Sequence, residues 1–104
     1  MSFNRGADEE LFDEIMFSSL EKNENEYLLF AKKFLKSKKE LRIVGETLCK
    51  YERKRNVVKV SSSKDNGETF RLDMYRTKSF KKKHEIQTII GDLAWHDAVV
   101  TTGM

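Results

Sequence analysis

The chain has 104 residues and a mass of 12.2 kDa, the size of one small domain, so we expect one domain over residues 1–104. Charged residues make up 36% of the chain, but 11% aromatic residues supply enough bulk for one core, which argues against a disordered chain. A single Cys excludes an internal disulfide, and no stretch approaches the ~18 apolar residues of a membrane span. These features predict a cytoplasmic or other reducing intracellular compartment without membrane contact.

The net charge of +3 is distributed unevenly along the chain. Residues 1–30 carry a net charge of −6, and the remaining 74 residues carry +9. Positive charge concentrates in residues 32–55, with ten bases and three acids, and in residues 76–84, with five Lys or Arg and no acid. Basic segments attract polyanions, which favours a nucleic-acid partner. The alternative is an ordinary solvated, lysine-rich surface.

Two helices are predicted at the N-terminus. Asp8 is typical of an N-cap, and apolar residues at helical spacing predict an amphipathic helix over Asp8–Lys22. Asn23 followed by Glu26 is typical of a reciprocal cap that opens a second helix. One face of that helix is apolar and carries Tyr27, Leu28, Ala31, Phe34 and Leu35.

From Leu41 the apolar period changes to two, which predicts a strand. Its core-facing side is predicted to carry Leu41, Ile43, Thr47, Cys49 and Tyr51. Its opposite side is predicted to carry Arg42, Glu46, Lys50 and Glu52. Gly45 interrupts the pattern and is interpreted as a bulge.

Two further strands complete an antiparallel meander. Residues 53–56 are predicted to form a polar turn before a β-branched strand over Val57–Ser63. Asp65-Asn66-Gly67 is typical of a hairpin turn of type I′, because Asn and Gly tolerate positive φ angles. A strand over Glu68–Arg76 then alternates between an apolar face with Phe70, Leu72 and Met74 and a polar face.

The last third of the chain has two interpretations. Ile86, Ile89, Ile90 and Leu93 predict a helix that starts near Ser79, whereas Glu85–Ile90 also fits a fourth strand. The predicted fold is therefore α+β: an N-terminal helical pair packed on a three- or four-stranded antiparallel sheet, with a possible C-terminal helix. The predicted core consists of Phe12, Ile15, Leu28, Phe34, Ile43, Val58, Val60, Phe70, Leu72, Met74, Ile86 and Ile90.

The sequence offers no pattern for catalysis or for a cofactor. His84, His96 and Cys49 are the only imidazole or thiol candidates for a metal, and they follow no ligand spacing. The five glycines are isolated, so the chain has no glycine-rich phosphate loop. We therefore expect no catalytic residues, no metal and no cofactor.

The sequence does offer a basic and aromatic constellation. Guanidinium and ammonium groups suit phosphate oxygens, and a tyrosine can stack on an unpaired base. We predict a small, non-catalytic module that binds RNA or another single strand through the polar face of the sheet and the segments beside it. The predicted binding residues are Arg53, Lys54, Arg55, Arg71, Tyr75, Arg76, Lys78, Lys81, Lys82 and Lys83.

Two other functions stay open. The acidic first helix, with Phe3, Phe12 and Phe17, suits a protein–protein interaction module that regulates or inhibits a partner, or a homodimer. Two helices before an antiparallel sheet in a basic chain are also similar in layout to small messenger-cleaving ribonuclease toxins, without any shared motif. A metal-independent ribonuclease would use Arg71, Tyr75, Lys83 and His84.

Overall fold

A computed structural model describes residues 5–77 and 84–102, with their side chains from residue 10 onward. The elements are α1 (Arg5–Lys22), α2 (Glu24–Ser37), β1 (Lys39–Val44), β2 (Thr47–Lys54), β3 (Val57–Ser63), β4 (Arg71–Arg76) and α3 (Glu85–Thr102). The four strands form one antiparallel sheet in the order β1-β2-β3-β4. The predicted α+β fold is confirmed, and residues 85–102 are a helix rather than a fourth strand. Ser79 lies outside the described residues.

In α2 the predicted apolar face is buried, but the predicted reciprocal cap is absent. Tyr27, Ala31 and Phe34 recur at helical spacing and are all fully buried. Asn23 is the N-cap residue, but its side chain makes no capping hydrogen bond, so the predicted reciprocal cap is wrong. Asp8 is also not a cap, because α1 begins at Arg5.

The sequence interpretation of β1 and β2 as one strand is wrong. Gly45 and Glu46 form a turn between the two strands, and Gly45 has a φ of +61°, as the first position of a tight hairpin turn requires. The reversal pairs Arg42 with Cys49 and Ile43 with Leu48. Arg42 therefore shares a face with the buried Cys49, and Ile43 is 75% exposed.

The turn between β3 and β4 is correctly placed by the sequence but is longer than predicted. Asn66 and Gly67 both have positive φ angles, of 63° and 96°. The fourth strand begins only at Arg71, because residues 64–70 form a loop. Ser63 holds this loop with its hydroxyl, which donates to Asp65 at 2.7 Å and accepts from the Gly67 N–H at 2.8 Å.

The core lies between the inner face of the sheet and two helices. We call inner face the side on which Cys49, Tyr51, Val58 and Val60 are buried, and outer face the opposite side. The core cluster joins these residues to Tyr27, Ala31, Phe34, Ile89, Leu93 and Ala94 of α2 and α3. Helix α1 packs mainly against α3.

The predicted core is correct in part. Phe34, Val58 and Val60 are fully buried, and Met74, Ile86 and Ile90 are partly buried against the core. The prediction is wrong for Ile43 and Leu72, which are 75% and 52% exposed. The turn at Gly45 places Ile43 on the face opposite to Cys49, and the register shift between Val60 and Ser61 takes Leu72 off the face of Met74.

Candidate functional site

The outer face of the sheet carries more cations than anions. Strand alternation and register place Lys39, Lys50, Lys54 and Lys59 on it, together with a single acid of the strands, Glu52. Helices α2 and α3 pack on the inner face. The outer face of the described strands therefore presents lysines to solvent over several cross-strand rows.

A shallow groove of about 350 Å³ lies on the outer face at the end of the β2–β3 hairpin. We call it the cationic groove, and it is lined by Lys54, Arg55, Val57, Lys59 and Tyr75. Lys59 and Tyr75 are cross-strand partners, and the Lys59 Nζ lies 5.9 Å from the centre of the Tyr75 ring. Tyr75 is 53% exposed, so one aromatic surface is available beside the cations.

The cations of this groove are available for a ligand. Among the residues that the structure describes, no carboxylate forms a salt bridge with Lys54, Arg55 or Lys59. Arg55 stands at the first position of the β2–β3 turn with a φ of 58°, and this left-handed conformation places it at the tip of the hairpin. Within the described part of the chain, the groove thus combines an exposed phenol ring with three cations that form no salt bridge.

At the opposite end of the outer face, Lys50 already contacts other residues of the chain. Lys50 Nζ lies 4.2 Å from the centre of the Phe70 ring and 3.6 Å from a carboxylate oxygen of Glu52. The 64–70 loop approaches the face here, since a Cβ added to Gly67 would lie 3.3 Å from Leu48 Cδ2. Lys50 is therefore already engaged within the chain.

The predicted binding residues divide into three groups. Lys54, Arg55 and Tyr75 come together in the cationic groove. Three arginines are paired with carboxylates of the same chain: Arg53 with Glu85 at 3.2 Å, Arg71 with Asp73 at 2.9 Å, and Arg76 with Asp92 at 3.1 Å. The remaining four, Lys78, Lys81, Lys82 and Lys83, lie outside the described residues.

Two of the four residues considered for a ribonuclease, Arg71 and Tyr75, lie apart in the described structure. Arg71 and Tyr75 stand four residues apart on β4, roughly 13 Å along an extended strand. Arg71 lines a cleft beside α1 and α3, whereas Tyr75 lines the cationic groove. Lys83 lies outside the described residues.

The inner face carries a buried polar network that the sequence patterns did not predict. Arg42 donates to Asp97 at 2.5 Å and to Glu26 at 3.1 Å, and the hydroxyl of Tyr27 donates to Asp97 at 2.6 Å. Burial by itself lowers the pKa of Arg42, but the charge of Asp97 outweighs burial and raises it. The pKa of Tyr27 is raised above its ordinary value, mainly by burial and secondly by the hydrogen bond to Asp97. Both groups therefore keep their ordinary protonation states.

A second buried pair results from an irregularity between β3 and β4. The register shifts between Val60 and Ser61, and Asp73 reaches His96 on α3 at 2.7 Å. Burial raises the pKa of Asp73, but hydrogen bonds from His96, Ser62 and Arg71 outweigh it and lower the pKa below its ordinary value. The side chain of Asp73 is only 3% exposed and that of His96 is 0% exposed, so the pair serves packing rather than contact with a ligand.

One sequence signal could have revealed this network. Asp92, His96 and Asp97 interrupt the apolar run of α3 over residues 89–100, and all three are buried. Buried charges are almost always paired, so polar residues on an apolar helix predict partners elsewhere in the chain. The partners Arg42, Asp73 and Arg76 lie on the sheet.

The described residues contain no group of three His, Cys, Asp or Glu side chains that could hold a metal ion. Cys49 is fully buried, and burial raises the pKa of its thiol to about 11. No helix in the described ranges has the length and apolar character needed to cross a membrane. The chain matches no protein-family model, no curated protein and no solved structure. A proposal for its function therefore depends on the geometry of its surfaces.

Proposed function

We propose that this chain is a small, non-catalytic module that binds single-stranded nucleic acid, RNA in particular, through the cationic groove. The observation that carries the proposal is the position of the exposed Tyr75 ring beside Lys54, Arg55 and Lys59. Aromatic rings on open sheets stack on unpaired bases, and neighbouring cations bind the phosphates. The groove brings both kinds of group to one surface.

The size and openness of the groove favour a single strand over a duplex. Base stacking on Tyr75 requires an unstacked base, which a single strand offers and a duplex does not. Glu52 is the only carboxylate of the described strands on this face, where it is the cross-strand partner of Lys59 and lies 3.6 Å from Lys50. Cations therefore outnumber carboxylates on the strands beside the groove.

The structure changes which residues we assign to binding. Lys59 joins Lys54, Arg55 and Tyr75, because it is the direct cross-strand partner of the tyrosine. Arg53 and Arg76 are removed from the proposed site, because their guanidinium groups pair with Glu85 and Asp92. A guanidinium that already donates to a carboxylate has fewer N–H groups left to donate to a phosphate. Arg71 is removed because it lines the cleft beside α1 and α3 and not the cationic groove.

Fluorescence anisotropy with a labelled oligouridylate across a salt series tests the proposal. Each phosphate contact contributes a slope of about 0.7 in log K against log salt for a single strand, so Lys59→Gln should reduce the slope by about that amount. Tyr75→Ala should weaken binding by about five- to a hundredfold through lost stacking. Lys36→Gln, which removes an exposed cation from α2, is the matched control and should bind as the wild type does.

Two results would overturn the proposal. One is the absence of any binding at about 50 mM salt, where counterion release favours a basic site strongly. The other is an equal loss of affinity in Lys59→Gln and Lys36→Gln, which would show a general response to net charge. Binding of the same oligonucleotide as a duplex with equal affinity would remove the stacking role of Tyr75.

A protein partner is the second candidate, and exposed apolar residues favour it. Leu41 and Ile43 on the edge strand β1 are 55% and 75% exposed, and both lie on the outer face. Edge strands with exposed apolar side chains are typical sites of contact with another chain. Recovery of a stoichiometric protein that survives nuclease treatment and is lost in Ile43→Thr would support this function over nucleic-acid binding.

A further inference from the structure

A second surface feature is a cleft of about 520 Å³ between α1, α3 and the edge strand β4. We call it the aromatic cleft, and its volume lies within the range of small-molecule sites. Its apolar walls are Phe12, Leu72, Trp95 and Val99. The rings of Phe12 and Trp95 meet edge to face, with their centres 6.3 Å apart. It lies apart from the cationic groove, with which it shares no lining residue.

Three polar residues also line this cleft, and they carry charges of both signs. Arg71 has a side chain that is 70% exposed, and it donates its Nε–H to Asp73 at 2.9 Å. Its two terminal nitrogens make no hydrogen bond to any described residue. Asp73 itself is buried and already accepts hydrogen bonds from His96 and Arg71. Among the described residues, the terminal nitrogens of Arg71 therefore have no acceptor and can donate to a ligand in the cleft.

Asp13 provides the opposite charge. It is an exposed residue of α1 that lines the cleft, and it forms no salt bridge with another described residue. Arg71 and Asp13 do not pair with each other, although they border the same apolar walls. A ligand that satisfies both carries an anionic and a cationic group beside an apolar body.

We propose that the aromatic cleft binds a free amino acid with a large apolar side chain. Its carboxylate pairs with the terminal nitrogens of Arg71, since a guanidinium fork matches a carboxylate in geometry. Its ammonium pairs with Asp13, and its side chain packs against Phe12 and Trp95. Neither a purely anionic nor a purely cationic ligand uses both rim charges.

Trp95 gives this site a direct readout, because it is the only tryptophan of the chain. Fluorescence excited at the tryptophan band is titrated with three probes that share the phenyl group: L-phenylalanine, 3-phenylpropanoate, which lacks the ammonium group, and 2-phenylethylamine, which lacks the carboxylate. L-Phenylalanine should give a saturable change and bind about tenfold more tightly than either relative, a difference of about 1.4 kcal/mol, because each relative lacks one of the two charged contacts.

Variants of Arg71 and Asp13 show which charged group of the ligand each residue binds. Arg71→Gln should weaken L-phenylalanine and 3-phenylpropanoate by about tenfold and leave 2-phenylethylamine unchanged. Asp13→Asn should weaken L-phenylalanine and 2-phenylethylamine and leave 3-phenylpropanoate unchanged. Both residues are exposed, and near-ultraviolet circular dichroism of each variant checks that the fold is retained. Lys59→Gln, in the cationic groove, is the control and should bind all three probes as the wild type does.

Each other outcome would overturn the proposal. The absence of any change in Trp95 fluorescence at about 10 mM L-phenylalanine would show that the cleft does not bind this class of ligand. Equal affinity for the three probes, or an equal response of all variants, would show an apolar surface without recognition of the two charges. None of these results depends on the binding of nucleic acid.

Discussion

Arg42 Nη1 of β1 lies 2.5 Å from Asp97 Oδ1 of α3, although the two residues are 55 positions apart in the chain. The side chains are only 9% and 8% exposed, so the pair is almost entirely removed from water. Tyr27 of α2 donates to the other oxygen of the same carboxylate. One buried carboxylate therefore joins the first hairpin to two of the three helices.

We expect the two contacts of Arg42, with Asp97 and with Glu26, to contribute very unequally to the free energy of unfolding. Arg42→Met leaves Asp97 buried without its cation, which should lower the free energy of unfolding by about 3–5 kcal/mol. Glu26→Gln should lower it by less than about 1 kcal/mol, because the Glu26 side chain is 60% exposed. Urea denaturation measures both.

The double variant Arg42→Met/Asp97→Asn sharpens that test. It removes both charges, so its loss of stability should be smaller than the sum of the two single losses. Equal losses in Arg42→Met and Glu26→Gln would contradict a buried pair.

Asp65 should be an unusually strong acid. The Thr69 hydroxyl and N–H and the Ser63 hydroxyl donate to it, and these hydrogen bonds lower its pKa to about 2. Because the folded pKa lies below the ordinary value of 3.8, the ionised form stabilises the loop above about pH 4. This contribution is lost as the pH falls towards 2.

Carboxyl-carbon NMR measures that titration directly, and Thr69→Val supplies the comparison. Removal of the Thr69 hydroxyl should raise the pKa of Asp65 towards 3.8, since that hydroxyl is the largest cause of the shift. If Asp65 titrates at the same pH in both proteins, the loop is not held by this hydrogen bond.

Cys49 should be nearly inert in the folded protein. Its side chain is fully buried, and burial raises the pKa of the thiol to about 11, so only about a thousandth of it is thiolate at pH 8. Reaction with a disulfide reagent should therefore be slow in buffer and fast in concentrated urea. The absorbance of the thiol that the reagent releases measures the rate. A native rate equal to the unfolded rate would show that the inner face of the sheet opens freely.

Arg55 should be a site where stability and binding oppose each other. Its φ of 58° is unfavourable for any residue with a Cβ, so Arg55→Gly should raise the free energy of unfolding by about 0.5–1 kcal/mol. The same change removes a cation of the proposed groove and should weaken the binding of oligouridylate.

Lys38→Gly separates the two effects. Lys38 has a φ of 65° at the C-terminus of α2, so glycine there should stabilise the fold to a similar extent. It is not a groove residue, so binding should be unchanged. Equal binding by wild type and Arg55→Gly would remove Arg55 from the site.

Local patterns in the sequence determined the types of the first two helices and of the strands, but left residues 85–102 open between helix and strand. Helical periodicity placed Tyr27, Ala31 and Phe34 on the buried face of α2, and Asn66-Gly67 correctly marked a turn with positive φ angles. These features depend on neighbours a few residues apart, where backbone propensity and side-chain spacing act directly.

Only the tertiary structure decided which face of β1 is buried and which cations are available. The turn at Gly45 pairs Arg42 with Cys49, so an arginine enters the interior and Ile43 faces solvent. A one-residue difference in register exchanges the two faces of a strand, and apolar alternation alone does not record a buried salt bridge. The pairings of Arg53 with Glu85 and Arg76 with Asp92 join distant segments, so local sequence carried no sign of them.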